Sequence, residues 1–186
     1  VFTYDKIYAG AGYTSGGSMM LVAKNGDDGN LETGDVVAVA GMAFAPGESQ
    51  NPIPLVQRAS KGSVTAVIGV VYRRFVFETH VESFRREGKV KQRTSISTNS
   101  ADGAIAPGDY LLIVVLGPAQ VKVDASSTAI HAGDLLTASA TGGRAMKAEP
   151  VKVGGVEFYP PGGIIGKAME ELDKGEGLIW AMVTLQ

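Results

Sequence analysis

Ile130-His131-Ala132-Gly133-Asp134-Leu135-Leu136 carries the pattern that decides the fold: an apolar residue, two spacers, Gly-Asp, then an apolar strand. The pattern recurs at Leu31-Glu32-Thr33-Gly34-Asp35-Val36-Val37 and at Ile105-Ala106-Pro107-Gly108-Asp109-Tyr110-Leu111. Turn chemistry explains it. Glycine takes the positive φ that a tight entry turn demands, and the Asp carboxylate accepts a backbone N–H of that turn, so the next strand starts in a fixed register. Gly34, Asp35, Gly108, Asp109, Gly133 and Asp134 are therefore read as structural turn residues rather than as metal ligands or acid–base groups.

Two copies extend further. Gly34-Asp35 is followed by Val67-Ile68-Gly69-Val70-Val71, and Gly133-Asp134, at nearly the same spacing, by Ile164-Ile165-Gly166-Lys167-Ala168. One β unit is used twice, over 31–77 and 130–170, with Gly69 and Gly166 as further structural glycines. The expectation is a single β domain over 31–186, preceded at 1–30 by a terminal strand and a Gly-rich arm.

Outward from the repeats, the 25 glycines fall between short β-branched runs, the signature of many strands joined by tight turns. Strands are predicted at Phe2–Ala9, Met19–Lys24, Val36–Ala40, Val64–Phe77, Val90–Ser97, Tyr110–Leu116, Gln120–Asp124, Leu135–Ala138, Ile164–Glu170 and Leu178–Leu185. The best helical candidate is Glu78–Glu87, where Val81 and Phe84 stand three apart, but it alternates tolerably as a strand too. Glu170–Lys174 is too short for more than a turn. The predicted fold is all-β: a barrel-like or sandwich body of two duplicated Gly-Asp units with an N-terminal strand and arm. The ending Gly177-Leu-Ile-Trp-Ala-Met-Val-Thr-Leu-Gln186 is apolar at nearly every position, which predicts a strand covered on both faces, by the interior on one side and by a packed layer or partner chain on the other.

Composition narrows the functions. Of 186 residues 45% are hydrophobic and 19% charged, enough apolar surface for a core and too little charge for a disordered tail. A net charge of -2 gives no reason to expect nucleic acid as a partner. No apolar run approaches the ~20 residues of a membrane-spanning helix, and no charged-then-apolar leader opens the chain, so a soluble or already processed polypeptide is expected. Zero cysteines exclude disulfides, thiolate metal sites and cysteine nucleophiles.

Across roughly Leu31 to Gln186 the chain resembles a β-rich C-terminal assembly domain found at the ends of long repetitive bacterial surface proteins and phage-fibre-like proteins. The runs that carry the resemblance are Gly117-Pro-Ala-Gln-Val-Lys-Val-Asp124, Ile130 to Ser139, Gly143-Arg-Ala-Met-Lys147, Ile164-Ile-Gly-Lys-Ala-Met169 and the Leu178–Gln186 ending. More loosely, the Gly-Asp-strand unit is similar to the small β-barrel capsid-decoration proteins of tailed phages, which sit as trimers on shells. Both resemblances imply assembly and display, and supply no catalytic residues. Val1–Asn30 has no clear counterpart in them.

Gly10-Ala-Gly-Tyr-Thr-Ser-Gly-Gly-Ser18 invites a phosphate-loop reading but lacks the Gly-Lys-Ser/Thr ending and a following helix, so it reads as a linker. The two histidines, His80 and His131, have no partner at a metal-binding spacing. No Gly-x-Ser-x-Gly elbow supports a catalytic triad. The basic stretch Arg73, Arg74, Arg85, Arg86, Lys89, Lys91 and Arg93, offset by Glu78, Glu82 and Glu87, reads as a solvated hairpin. Phe158-Tyr159-Pro160-Pro161-Gly162-Gly163 reads either as an exposed aromatic knob or as packing over an open end.

These readings converge on a non-enzymatic structural protein, with no cofactor and no metal, that assembles with copies of itself as a trimer or filament. It would belong to an extracellular filament or to a virion or fibre, with a cell-surface or capsid protein as a further partner. Phe2, Tyr4, Tyr8, Phe158, Tyr159 and Trp180 are the expected interface residues, and Val1–Tyr8 is expected to add as a strand to a neighbour's sheet. The alternatives are a carbohydrate- or surface-binding module built on Phe158 and Tyr159, and an autoproteolytic or chaperone end-domain of a fibre whose Val1 arises by cleavage.

Overall fold

The computed structural model describes residues 7–9, 12–15, 17–44, 52–86 and 89–185, without the side chains of 7–16 and of most of 79–98. The fold is all-β. The described strands are β1 (Ile7–Ala9), β2 (Gly12–Ser15), β3 (Ser18–Asn25), β4 (Val36–Phe44), β5 (Pro52–Arg58), β6 (Val67–Arg86), β7 (Lys89–Ala101), β8 (Tyr110–Asp124), β9 (Leu135–Ala138), β10 (Ala145–Lys147), β11 (Val151–Val153), β12 (Val156–Phe158), β13 (Gly166–Ala168) and β14 (Glu176–Val183). A 3-10 helix spans Lys61–Ala66.

Strand pairing closes on itself twice. In the first ring β3 pairs with β5, β5 with β4, β4 with β6, β6 with β8, and β8 returns to β3. In the second, β8 pairs with β10, β10 with β9, β9 with β13, β13 with β14, and β14 returns to β8. The topologies match contact for contact: in each ring the first pairing is parallel and the other four antiparallel. The long strand β8 belongs to both, its residues 110–116 in the first ring and 117–124 in the second. Tyr110–Leu116 and Gln120–Asp124, predicted as two strands, are thus one.

The rings bury apolar residues at the alternation of a pleated strand. One cluster gathers Ala23, Val37, Val56, Val71, Leu111 and Ile113 from all five strands of the first ring, with Leu31 and Ile105 added from the turns. The opposite faces of those strands, among them Met20, Val22, Ile53, Leu112 and Val114, join a second cluster with Val121, Val123, Leu136, Ala145, Ile179, Ala181 and Val183 of the second ring. Gly69 and Gly166 sit at equivalent places: a Cβ on Gly69 would meet the Val114 carbonyl oxygen at 2.7 Å, and one on Gly166 would collide with the Met182 carbonyl. Close approach of neighbouring backbone explains glycine at both positions.

Several expectations need correction. Glu78–Glu87 is strand through Arg86, because β6 runs on as a ribbon paired with β7 from Arg74↔Ala101 to Arg86↔Lys89. Val64 lies in the 3-10 helix, and the strand starts at Val67. Part of the Gly-rich arm is strand rather than tether: Gly12–Ser15 pairs with Ser18–Leu21, and Ile7–Ala9 pairs with Gly12–Thr14. The final strand alternates: Ile179, Ala181 and Val183 are buried, while Leu178, Trp180 and Met182 on the other face stay partly exposed, which leaves cover by a partner chain as the expectation for that face. Sheet alternation overrode the uniform apolar composition.

Candidate functional site

The three Gly-Asp turns share one geometry. The Asp N–H donates to the carbonyl three residues back in each, at 3.0 Å: Asp35 to Glu32, Asp109 to Ala106, Asp134 to His131. Each carboxylate accepts the N–H of that same residue, at 2.9, 3.3 and 2.8 Å. Each also holds a cation: Lys122 and Arg58 on Asp35, Arg74 on Asp109, Lys147 on Asp134. Burial works to raise the Asp134 pKa, but the Lys147 ammonium and the His131 N–H outweigh it and hold the carboxyl below its usual range. Gly34, Gly108 and Gly133 all have positive φ, between 85° and 93°.

The turn expected at Glu170–Lys174 is a fourth copy of the unit, a kinship that the Gly-Asp pattern does not reveal. Leu172-Asp173-Lys174-Gly175-Glu176 has the same apolar-x-x-Gly-acid spacing with Glu in place of Asp, and Gly175 has φ 79°. Its apolar residue exchanges backbone hydrogen bonds with Ile130, as Leu31 does with Ile105, so each ring carries one pair of bridged turns.

The Gly34-Asp35 turn lies where the rings meet. Gly34 N–H donates to Val71 O of the first ring, while Gly34 O accepts from Lys122 N–H of the second. Asp35 is 2% exposed, and its Oδ1 accepts Lys122 Nζ at 2.7 Å. Lys122 also reaches Glu32, whose carboxyl is held below its usual range by that hydrogen bond and charge. Arg58 completes the group: it pairs with Asp27 at 3.4 Å and Asp35 at 3.6 Å, and donates through Nη2 to the Asn30 carbonyl. The arrangement is that of a structural clamp, since every carboxylate in it is occupied.

Other predicted residues scatter. Phe2 and Tyr4 lie outside the described residues, and Tyr8 stands opposite Tyr13 in the β1–β2 pair. Phe158, Tyr159 and Trp180 are exposed, the first two on the β11–β12 side and Trp180 on β14. His131 is exposed on its turn, and His80 stands opposite Ser95 in the β6–β7 ribbon. Of the basic stretch, Arg74 is paired with Asp109, whereas Arg73 stacks on Tyr72 with its guanidinium 4.4 Å from the ring centre. Arg85, Arg86, Lys89, Lys91 and Arg93 fall along the ribbon. Among the described residues no group of three His, Asp or Glu side chains is placed to hold a metal ion, and no helix is long and apolar enough to cross a membrane.

Three surfaces stand out. The first is the two-stranded sheet of β11 and β12, in which Val151 pairs with Phe158 and Val153 with Val156 on one face, while Lys152 and Glu157 pair on the other and form a 3.0 Å ion pair. All four apolar side chains are exposed, Val156 to 67%. The second is a ledge on the first ring, where Met42 pairs with Pro54 and Phe44 with Pro52; Met42 is 68% and Phe44 51% exposed. The third is a cleft of about 410 Å³ at the ring junction, lined by Thr33, Tyr72, Arg73, Asp102, Gln120 and Trp180.

No family model matches the chain, and no curated protein matches it. Among solved structures, the head fiber gp8.5 N base of bacteriophage phi29 is similar at a TM-score of 0.44 and 16% sequence identity, over 90% of this chain and 97% of that one. That likeness is loose and points to no particular family.

Proposed function

We propose that this protein is a non-catalytic structural subunit that assembles with copies of itself, in an extracellular filament or as a virion or fibre component. The observation that carries the reading is the β11–β12 hairpin. An isolated two-stranded hairpin is marginal in water, and this one turns a continuous apolar face of Val151, Val153, Val156 and Phe158 to solvent. A second copy is the natural cover, because among the described residues the same chain offers a second exposed apolar sheet face, the Met42–Phe44–Pro52 ledge, on the other ring. The hairpin of one copy laid on the ledge of the next is a head-to-tail contact, which closes into a ring such as a trimer or propagates as a filament. Strand addition by residues 1–8 would be a separate route to the same end; Ile7–Ala9 already has a partner within its own chain.

The experiment is a sedimentation series of the full chain over a wide concentration range, with Val156→Lys and Met42→Asp variants. The wild type should form oligomers, and each variant alone should stay monomeric and melt as the wild type does at concentrations too low for it to assemble. Mixed together the two variants should give a dimer and nothing larger, because one intact hairpin then meets one intact ledge. A wild type that stays monomeric throughout sinks the reading.

A further inference from the structure

We propose that the cleft at the ring junction binds a neutral sugar, with Trp180 as stacking platform and Arg73 and Asp102 as the polar groups that orient it. The cleft of about 410 Å³ falls within the usual range for small-molecule sites. Trp180 presents its ring at 43% exposure, and its backbone is fixed: its N–H donates to Glu170 Oε2 at 2.8 Å and its carbonyl accepts Met169 N–H at 2.8 Å. A flat, half-exposed indole on an anchored strand suits the apolar face of a pyranose ring. Gln120, opposite Trp180 in the β8–β14 pair, adds an amide beside it.

Arg73 supplies the second observation. Its guanidinium rests on Tyr72 and donates from Nη2 to the Tyr72 hydroxyl at 3.0 Å, yet its Nε is buried with no hydrogen-bond partner. Nε itself is closed to solvent, so an acceptor entering the cleft meets the Nη N–H groups of the guanidinium. Asp102, exposed on the same rim, offers only acceptors. A hydroxyl both donates and accepts, so vicinal hydroxyls satisfy Asp102 and Arg73 at once. One cation and one anion cancel, which favours a neutral saccharide over an acidic one. A phosphorylated ligand would meet the Asp102 charge without a second cation in the lining.

The chain has one tryptophan, and it lies in this cleft, so its emission reports on occupancy directly. The full chain would be titrated with cellotetraose, maltotetraose and tetra-N-acetylchitotetraose. At least one should shift or quench the emission saturably, with a Kd of about 1 mM or tighter. By calorimetry, Arg73→Gln and Asp102→Asn should each weaken binding about tenfold or more, equivalent to about 1.4 kcal/mol, while Phe158→Ala leaves it unchanged. No emission change with any of the three sugars overturns the proposal, as does binding lost in Phe158→Ala and kept in Arg73→Gln. Assembly is tested on Val156 and Met42, away from this cleft, so either proposal can fail without the other.

Discussion

Asp35 Oδ1 accepts the Lys122 ammonium at 2.7 Å, and that contact crosses from the turn that opens the first ring to the strand shared with the second. Asp35 is nearly inaccessible, whereas the equivalent Asp109 is partly exposed and paired with the similarly exposed Arg74. Removing one member of a buried ion pair leaves its partners uncompensated and costs about 3–5 kcal/mol; breaking an exposed pair costs at most about 1 kcal/mol. Asp35→Ala should therefore be several times more destabilising than Asp109→Ala in urea denaturation. Equal losses would show that the junction ion group does not hold the rings together.

Asp124 predicts the acid limb of stability. Its carboxylate accepts Ser126 N–H at 3.0 Å and the hydroxyls of Thr141 and Ser139 at 2.9 and 3.2 Å. The Ser126 hydrogen bonds, with help from Thr141 and Ser139, pull its pKa from 3.8 down to about 2. A folded-state pKa below the unfolded one contributes stability that is complete above the unfolded value and disappears as pH falls through the folded value. The wild type should lose stability between about pH 4 and pH 2, the interval those two values define. Asp124→Asn should flatten that limb, as read from urea midpoints at several pH values. A variant with an unchanged slope would remove Asp124 as a cause.

Ile130 and Ile105 occupy equivalent places, each fully buried and each in a two-way backbone bridge, to Leu172 and Leu31 respectively. Truncating a buried isoleucine to alanine costs about 2–5 kcal/mol, the spread reflecting how far the site collapses. Ile130→Ala and Ile105→Ala should both fall in that range in equilibrium unfolding. A loss well under 1 kcal/mol for either would mean its turn does not plug its ring as the other does.

The turns were legible because their requirement is local: Gly-Asp at 34–35, 108–109 and 133–134 encodes a backbone conformation and a carboxylate cap within five residues. The fourth, at Gly175-Glu176, hid behind one extra methylene in the acid. Strand β5 was not predicted; Pro52 and Pro54 disfavour a strand locally, yet burial of Ile53 in one core cluster and Val56 in the other outweighs that preference. Val81 and Phe84 suggested a helix at 78–87 by spacing alone, and the partner strand 89–101 decided otherwise. The cleft was invisible for a stronger reason. Arg73, Asp102 and Trp180 come together only because β6 pairs with the first half of β8 and β14 with the second, which no local pattern encodes.

Gly34 and Gly133 have the same turn conformation, φ 87° and 93°, but different surroundings. A side chain at Gly133 would meet open space, whereas a Cβ at Gly34 would fall 2.6 Å from Leu178 Cδ1 and 3.2 Å from Lys122 N. Gly133→Ala should therefore cost only the left-handed backbone strain, about 1–2 kcal/mol. Gly34→Ala carries that strain and also pushes against backbone of the second ring, which cannot yield without disturbing the Lys122 N–H to Gly34 O bond. The larger loss in thermal unfolding belongs to Gly34→Ala. The two costs would be equal only if the rings separate easily at this turn, and Gly34→Ala would then raise amide exchange at Lys122 while leaving the rest of the second ring protected.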